Sequence, residues 1–285
     1  MAKGNLILGT AKNSVGDVVM YRREGAQITR VRVRNVKNPK TDAQSFQRAI
    51  MAPIAKFYSP LSVVLERSFE GLSKAKSHNK FNQVNANLAR KNKWALPKGT
   101  GFFPLPYQLS QGTIAALTCS IDGHLSIFIP GLANTATKIG DVSKAMVAMG
   151  YKPGDVVTII GVESSADASL ADNFVPKSIQ FAIDEDSTDT IESVLNPVFN
   201  GGADEDNLVV TSIGASVIYA GAVIISRFDG NMWRRSTQSL VVRESIITEV
   251  TADAAVKAAI ASYGMSAGDG NPLVYLDGDE LADGQ

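Results

Sequence analysis

The sequence predicts an α+β protein, with a basic N-terminal region of one β-hairpin plus helices and then an acidic, β-rich region with a few helices. Short alternating runs rich in Val, Ile and Thr, bounded by Gly- and Asp-containing turns, recur along the chain. Apolar residues at helical spacing are confined to a few stretches. The 24 glycines, beside an aromatic content of only 7%, fit a chain with many turns. A length of 285 residues suffices for two domains, and the change in composition places their boundary between residues 104 and 105, giving 1–104 and 105–285.

The segment 15–35 reads as a β-hairpin: Val18–Tyr21 form one strand, Glu24-Gly25 the turn, and Ile28–Val33 the return. Strand side chains alternate faces, so Arg30, Arg32 and Arg34 share one face and Thr29, Val31 and Val33 the other. Asn38-Pro39-Lys40-Thr41 breaks the strand, and Thr41 followed by Gln44 matches a capping box. Phe46, Ile50, Ile54, Phe57, Leu61, Val64, Leu65 and Phe69 then form one apolar stripe at helical spacing. Pro53 and Pro60 interrupt it, and Ser59-Pro60 suits a fresh N-cap and first turn, which predicts two helices meeting near residue 59. A further helix is predicted over 77–92, with Phe81, Val84 and Leu88 on one face and Lys80, Arg90, Lys91 and Lys93 on or beyond the other. Trp94, Pro97, Gly99, Gly101 and Phe102-Phe103-Pro104 read as a linker.

Beyond it, Ala115–Ile121 and His124–Ile129 read as a second hairpin, because Asp122-Gly123 accepts the positive φ of a type I′ turn. A helix over Val142–Met149 leads through Gly150, Pro153 and Gly154 into a strand at Val156–Val162. Further strands are expected at Ser178–Ile183, Leu208–Ile213, Ser216–Arg227 and Arg234–Arg243. Helices at Thr190–Leu195 and Ala252–Tyr263 complete the pattern, and the tail Asp269–Gln285 carries five acids and no base.

Several function classes find no support. There is no phosphate-binding Gly-x-x-x-x-Gly-Lys-Ser/Thr loop, no Gly-x-Gly-x-x-Gly opening a helix and no Gly-x-Ser-x-Gly elbow, so no catalytic residue and no cofactor is expected. Cys119 is the single cysteine, which excludes an internal disulfide and fits a reducing compartment. His78 and His124 stand near no second ligand, and the acidic runs Asp184–Asp186, Asp204–Asp206 and Asp277–Glu280 lack the spacing of a calcium loop, so no metal is expected. The apolar run Leu6–Leu8 is too short for an export signal, and Val217–Ile225, broken by Tyr219 and Gly221, falls below the roughly 18 residues of a membrane span.

Charge carries the functional signal. Residues 1–100 hold 19 Lys/Arg against 5 Asp/Glu, a net of +14, while residues 101–285 hold 9 against 23, a net of −14. Such segregation points to a polyanion partner, or to a complementary acidic surface on a neighbour. Arg30, Arg32 and Arg34 form an ordered row about 6.8 Å apart, close to the phosphate spacing of an extended single strand. Arg22 and Arg23 on the partner strand widen that face, and Lys37, Lys40, Arg48, Arg90, Lys91 and Lys93 support it. Tyr21, Trp94, Phe102 and Phe103 offer rings on which unpaired bases stack. An alternating arginine strand also guards an edge against aggregation, and a +14 surface also docks on the −14 region of another copy.

The run Gly16-Asp17-Val18-Val19-Met20-Tyr21-Arg22, then Arg30-Val31-Arg32, then Asn38-Pro39-Lys40-Thr41-Asp42-Ala43-Gln44 with Gln47-Arg48, resembles a poorly characterised family found in Bacteroidetes and in small single-stranded-DNA phages of gut bacteria. The resemblance covers about residues 4–95, and Trp233-Arg234-Arg235-Ser236 is a weaker echo of the family's C-terminal end. It implies a phage or mobile-element origin, a place in the cytoplasm of a bacterial host or in the virion, and binding of single-stranded DNA. The expectation is therefore a non-enzymatic, homo-oligomeric protein that binds single-stranded DNA (or RNA) without sequence specificity and without a membrane. The alternative is a structural virion or assembly protein whose basic and acidic domains pair between copies. Phage capsid or replication proteins are the further partners implied.

Overall fold

The alternation from Val18 to Val31 folds into the expected antiparallel pair, and two more strands precede it. β1 (Lys3–Asn5), β2 (Thr10–Val15), β3 (Val18–Arg23) and β4 (Ala26–Val31) form an antiparallel meander in chain order. Sequence reasoning missed β1 and β2 because Lys, Gly, Asn and Ala give little strand preference by themselves; β2 acquires strand geometry by pairing along β3. This sheet lies in the first of two compact units, residues 1–40 and 41–285. The change in composition at 104/105 falls inside the second unit. The computed structural model describes residues 3–5, 10–15, 17–23, 26–34, 41–91, 102, 104–165 and 174–243. The turn at Glu24-Gly25, the helix expected at 252–263 and the acidic tail lie outside them.

The second unit opens with α1 (Asp42–Leu61) at the expected cap, where Thr41 is extended and its Oγ1 accepts the Gln44 N–H at 3.4 Å. Only this half of the capping box is made, for Gln44 Oε1 is buried without a hydrogen-bond partner. The restart expected at Ser59-Pro60 does not occur. The helix runs through Pro53 and Pro60 to Leu61, followed by turns to Arg67. Each proline lacks the N–H that would pair with the carbonyl four residues back, and an interior proline such as Pro53 costs about 3 kcal/mol or more. Ile50, Ile54, Phe57 and Leu61 are each no more than 2% exposed, and at about 1.5–3 kcal/mol per buried side chain their burial outweighs that cost.

α2 (Lys74–Lys91) packs against α1, burying Ser77, Phe81 and Asn85 at four-residue spacing. Asn85 ties the helix to β5 (Gln108–Ser110), donating to Gln108 O at 3.1 Å and accepting from Gln108 N at 2.8 Å. β6 (Cys119–Ile121) and β7 (Leu125–Phe128) form the expected hairpin, with Gly123 at φ +70°. α3 (Ile139–Ala148), β8 (Val156–Ser165), β9 (Val175–Ala182), α4 (Ile191–Leu195), β10 (Asn200–Asp204), β11 (Asn207–Thr211) and β12 (Ser216–Phe228) follow. The strand expected at 234–243 is three short pieces, β13 (Trp233–Arg235), β14 (Gln238–Ser239) and β15 (Val241–Val242).

β12 and β8 form the centre of this unit. The sheet order is β13-β12-β8-β9, with β15 also on β12, and a second sheet runs β10-β11-β7-β6. Alternate residues of β8 and β12 enter two separate cores. Ile160, Val162, Ala220, Ala222 and Ile224 pack with α1, α2 and the stretch Leu105–Leu109. Val157, Ile159, Val223 and Ile225 pack with the second sheet, α3 and α4. Burial on both faces explains why β12 is a nearly continuous apolar run. Gly161 and Gly221, directly opposed in the register, admit close neighbours: a Cβ would meet Phe199 at 2.8 Å at the first and Leu125 at 2.9 Å at the second. Among the described residues no helix is long and apolar enough to cross a membrane.

Candidate nucleic-acid interface

The register of β3 and β4 decides which cations share a face. Val19 opposes Arg30, Tyr21 opposes Ile28 and Arg23 opposes Ala26, so these positions lie on one side of the sheet. Val18 opposes Val31, Met20 opposes Thr29 and Arg22 opposes Gln27 on the other. The register therefore keeps position 23 with the Arg30 row and removes Arg22 from it. The guanidinium of Arg30 lies 5.7 Å from the centroid of the Tyr21 ring, which is 37% exposed. This is a cation–π contact that holds both groups at the surface. β4 ends at Val31, yet the Arg32 N–H still donates to Asp17 O at 2.6 Å, extending the alternation one step. Arg32 is exposed, and Arg34 is paired with the Asp17 carboxylate across an exposed surface. Such pairs contribute about 0–1 kcal/mol, so Asp17 ties Arg34 only weakly. Residues 1–40 carry nine Lys/Arg against two Asp/Glu, a net of +7.

The other expected cations belong to the second unit or lie outside the described residues. Arg48 is an exposed residue of α1, and Arg90 and Lys91 stand in the last turn of α2. Lys37, Lys40, Lys93, Trp94 and Phe103 lie outside the described residues. Phe102 is no stacking platform. It is 4% exposed, edge-on to Phe57 at 5.2 Å and beside Phe174 at 6.5 Å in the core. His78 stacks on Tyr58 at 4.4 Å, and burial pushes the Cys119 thiol up to about 12, out of the range of a reactive thiolate. Among the described residues no three His, Cys, Asp or Glu side chains converge as metal ligands.

A second cationic cluster was not legible in the sequence. Arg234 pairs with Glu70 and, through Nε at 2.9 Å, with Asp229. Its neighbour Arg235 is 7% exposed. The Arg235 guanidinium donates to Ser226 Oγ and, at 3.1 Å, to Glu66 O, while its Nε is buried without a partner. Its Cζ lies 5.2 Å from the Trp233 ring centroid. Burial lowers its pKa to about 10. The only sequence signal was that Trp233 and Arg235, two apart in a strand, share a face.

A model of a family of unknown function (DUF6266) matches residues 9–165, more than half of the 285 residues. The chain belongs to the DUF6266 family. The DUF6266 match runs from the N-terminal sheet through both long helices to the end of β8, so it reaches beyond residues 4–95 and into the acidic region. No curated protein and no solved structure matches the chain.

Within the DUF6266 segment, Glu70 joins the helical layer to β13. Burial raises its pKa, but hydrogen bonds from Arg234, from the Thr113 N–H and hydroxyl and from the Arg235 backbone outweigh burial and leave it lowered. A carboxylate whose folded pKa is depressed stabilises the fold fully above its unfolded value near 4.5, and that contribution is lost as pH falls through the lower folded value. Glu70→Gln is expected to lower the urea midpoint at pH 7 and to flatten its decline below about pH 4.5. A decline as steep as in the unmodified protein would show that Glu70 stores no such stability.

Proposed function

We propose that this DUF6266 protein is a non-enzymatic, phage-type protein that binds single-stranded DNA or RNA through the cation face of its N-terminal sheet, largely without reading sequence. The observation that supports it most is the Arg30–Tyr21 pair continued by Arg32 and Arg34 on one face. Arginines two residues apart meet successive phosphates, and the exposed Tyr21 ring gives a base a surface to stack on. Phosphate contacts carry no base information, which makes the binding sequence-tolerant. The resemblance to proteins of Bacteroidetes and of small gut phages favours the same reading and a role in the cytoplasm of a bacterial host or in its phage.

One observation favours a second reading, that of a virion or assembly protein. The opposite face of the sheet carries Val31 at 73% exposure, and Val33, two residues past β4, is 65% exposed. A small sheet needs a packed face to be stable, and another copy or a capsid protein would cover it.

Titration of a labelled oligo-dT by fluorescence anisotropy at several salt concentrations tests the first reading. Each phosphate contact on a single strand contributes about −0.7 to the slope of log affinity against log salt, so three arginines give about −2 or steeper. An absence of binding at low salt would sink the reading and leave the basic unit as an assembly surface.

A further inference from the structure

We propose that the groove over Arg235 is a separate site for a nucleotide, with its phosphate on Arg235 and its base along Trp233. The groove, of about 260 Å³, lies between the turns after α1 and the central sheet and is lined by Val63, Val64, Arg67, Gln180, Trp233 and Arg235. A guanidinium withdrawn from water is stabilised by a carboxylate or an equivalent anion. Among the described residues no carboxylate lies within ion-pair distance of Arg235, and its Nε–H is buried with no acceptor. The Arg235 guanidinium gives one N–H to Ser226 Oγ and one to Glu66 O, and its remaining N–H groups suit the oxygens of a phosphate.

The surroundings favour negative charge. Arg67, exposed at the rim, adds a second cation and holds its backbone at φ +54°, a left-handed conformation that a residue with a side chain adopts only under constraint. Glu66 also lines the groove; its carboxylate is engaged by Lys74 Nζ at 2.9 Å, and Arg235 and Arg67 outnumber it. The apolar walls, Val63 at 80% exposure and the half-buried Trp233, suit a flat ring beside the phosphate. The volume is below the roughly 300–1,000 Å³ of drug-sized sites, which suits one nucleotide rather than a strand. The choice of a nucleotide over another phosphate ester rests on the nucleic-acid reading of the N-terminal sheet, whereas the phosphate contact does not.

Full-length protein carrying Trp94→Phe retains Trp233 as its single indole and reports on the groove. At constant ionic strength, thymidine monophosphate is expected to change Trp233 fluorescence and raise Tm, with an affinity at least tenfold above that of inorganic phosphate, while thymidine does neither. Arg235→Met is expected to weaken thymidine monophosphate at least tenfold, with a ligand-free Tm equal to or above that of the parent, because a methionine replaces an unneutralised buried cation. Arg67→Ala, on the rim, weakens it several-fold at unchanged Tm and serves if Arg235→Met does not fold. Competition by the 5′-phosphorylated dinucleotide pTpT assigns the phosphate to a strand end, and its failure to compete assigns it to a free nucleotide. No response to thymidine monophosphate at millimolar concentration, or an equal response in Arg235→Met and Arg67→Ala, overturns the site. A response retained in a protein that fails to bind oligo-dT would sink only the reading of the N-terminal sheet.

Discussion

Replacing Arg30, Arg32 and Arg34 together by alanine is expected to weaken oligo-dT binding about a hundredfold at low salt. Three contacts at about 1 kcal/mol each amount to about two factors of ten. The salt slope should become shallower by about 2, because three phosphates are no longer neutralised. Stability should shift by less than about 0.5 kcal/mol, since all three side chains are exposed. Among the single variants, Arg34→Ala should cost least, because Arg34 leaves its Asp17 partner before it meets a phosphate. Arg30→Ala should cost most, because it also frees the Tyr21 ring from its cation. A triple variant that binds as tightly as the parent but runs as a smaller species in size-exclusion chromatography would transfer the row to subunit assembly.

Phe57→Ala is expected to destabilise the second unit by about 3–5 kcal/mol, the range for removing a buried aromatic side chain. Phe57 is fully buried and meets Phe81, Phe102 and Tyr107 at ring separations of 6.3, 5.2 and 4.7 Å, so a truncation there opens a hole shared by α1, α2 and the stretch leading into β5. Urea denaturation followed by far-UV circular dichroism measures it. A loss under about 1 kcal/mol would mean that the surrounding rings collapse into the space and that the cluster is less tightly packed than its geometry implies.

How much of this was legible depended on where the deciding force acts. β12, β8 and the Asp122-Gly123 hairpin were readable because local alternation and turn chemistry agree with their burial. The helix α1 was readable as an apolar stripe, but its continuity was not. Pro60 looks like a break until the tertiary burial of Leu61 and Leu65 is known. Phe102 was read as linker from its Gly and Pro neighbours, although Leu105, Tyr107 and Leu109 at two-residue spacing already carried a strand signal. The arginine row was visible because strand alternation is local. That Arg22 and Arg23, adjacent in one strand, cannot share a face was equally local, and the two-residue spacing between the paired Arg23 and Ala26 decides that Arg22 is the one excluded. The burial of Arg235 lies beyond local reasoning: it comes from the turns after α1, 169 positions away in sequence at Glu66.

The central sheet also sets a timetable for synthesis. The apolar stripe of α1 is covered by β8 and β12, and β12 begins at Ser216, long after Leu61 has left the ribosome. At roughly 5–20 residues per second, that stripe waits roughly 8–30 s for the last part of its cover. Through that interval Ile54, Phe57 and Leu61 are covered in stages, first by α2, then by the stretch Leu105–Leu109 and by β8, and the cover stays incomplete until β12 emerges. Expression at lower temperature, where hydrophobic association is weaker, should favour soluble product.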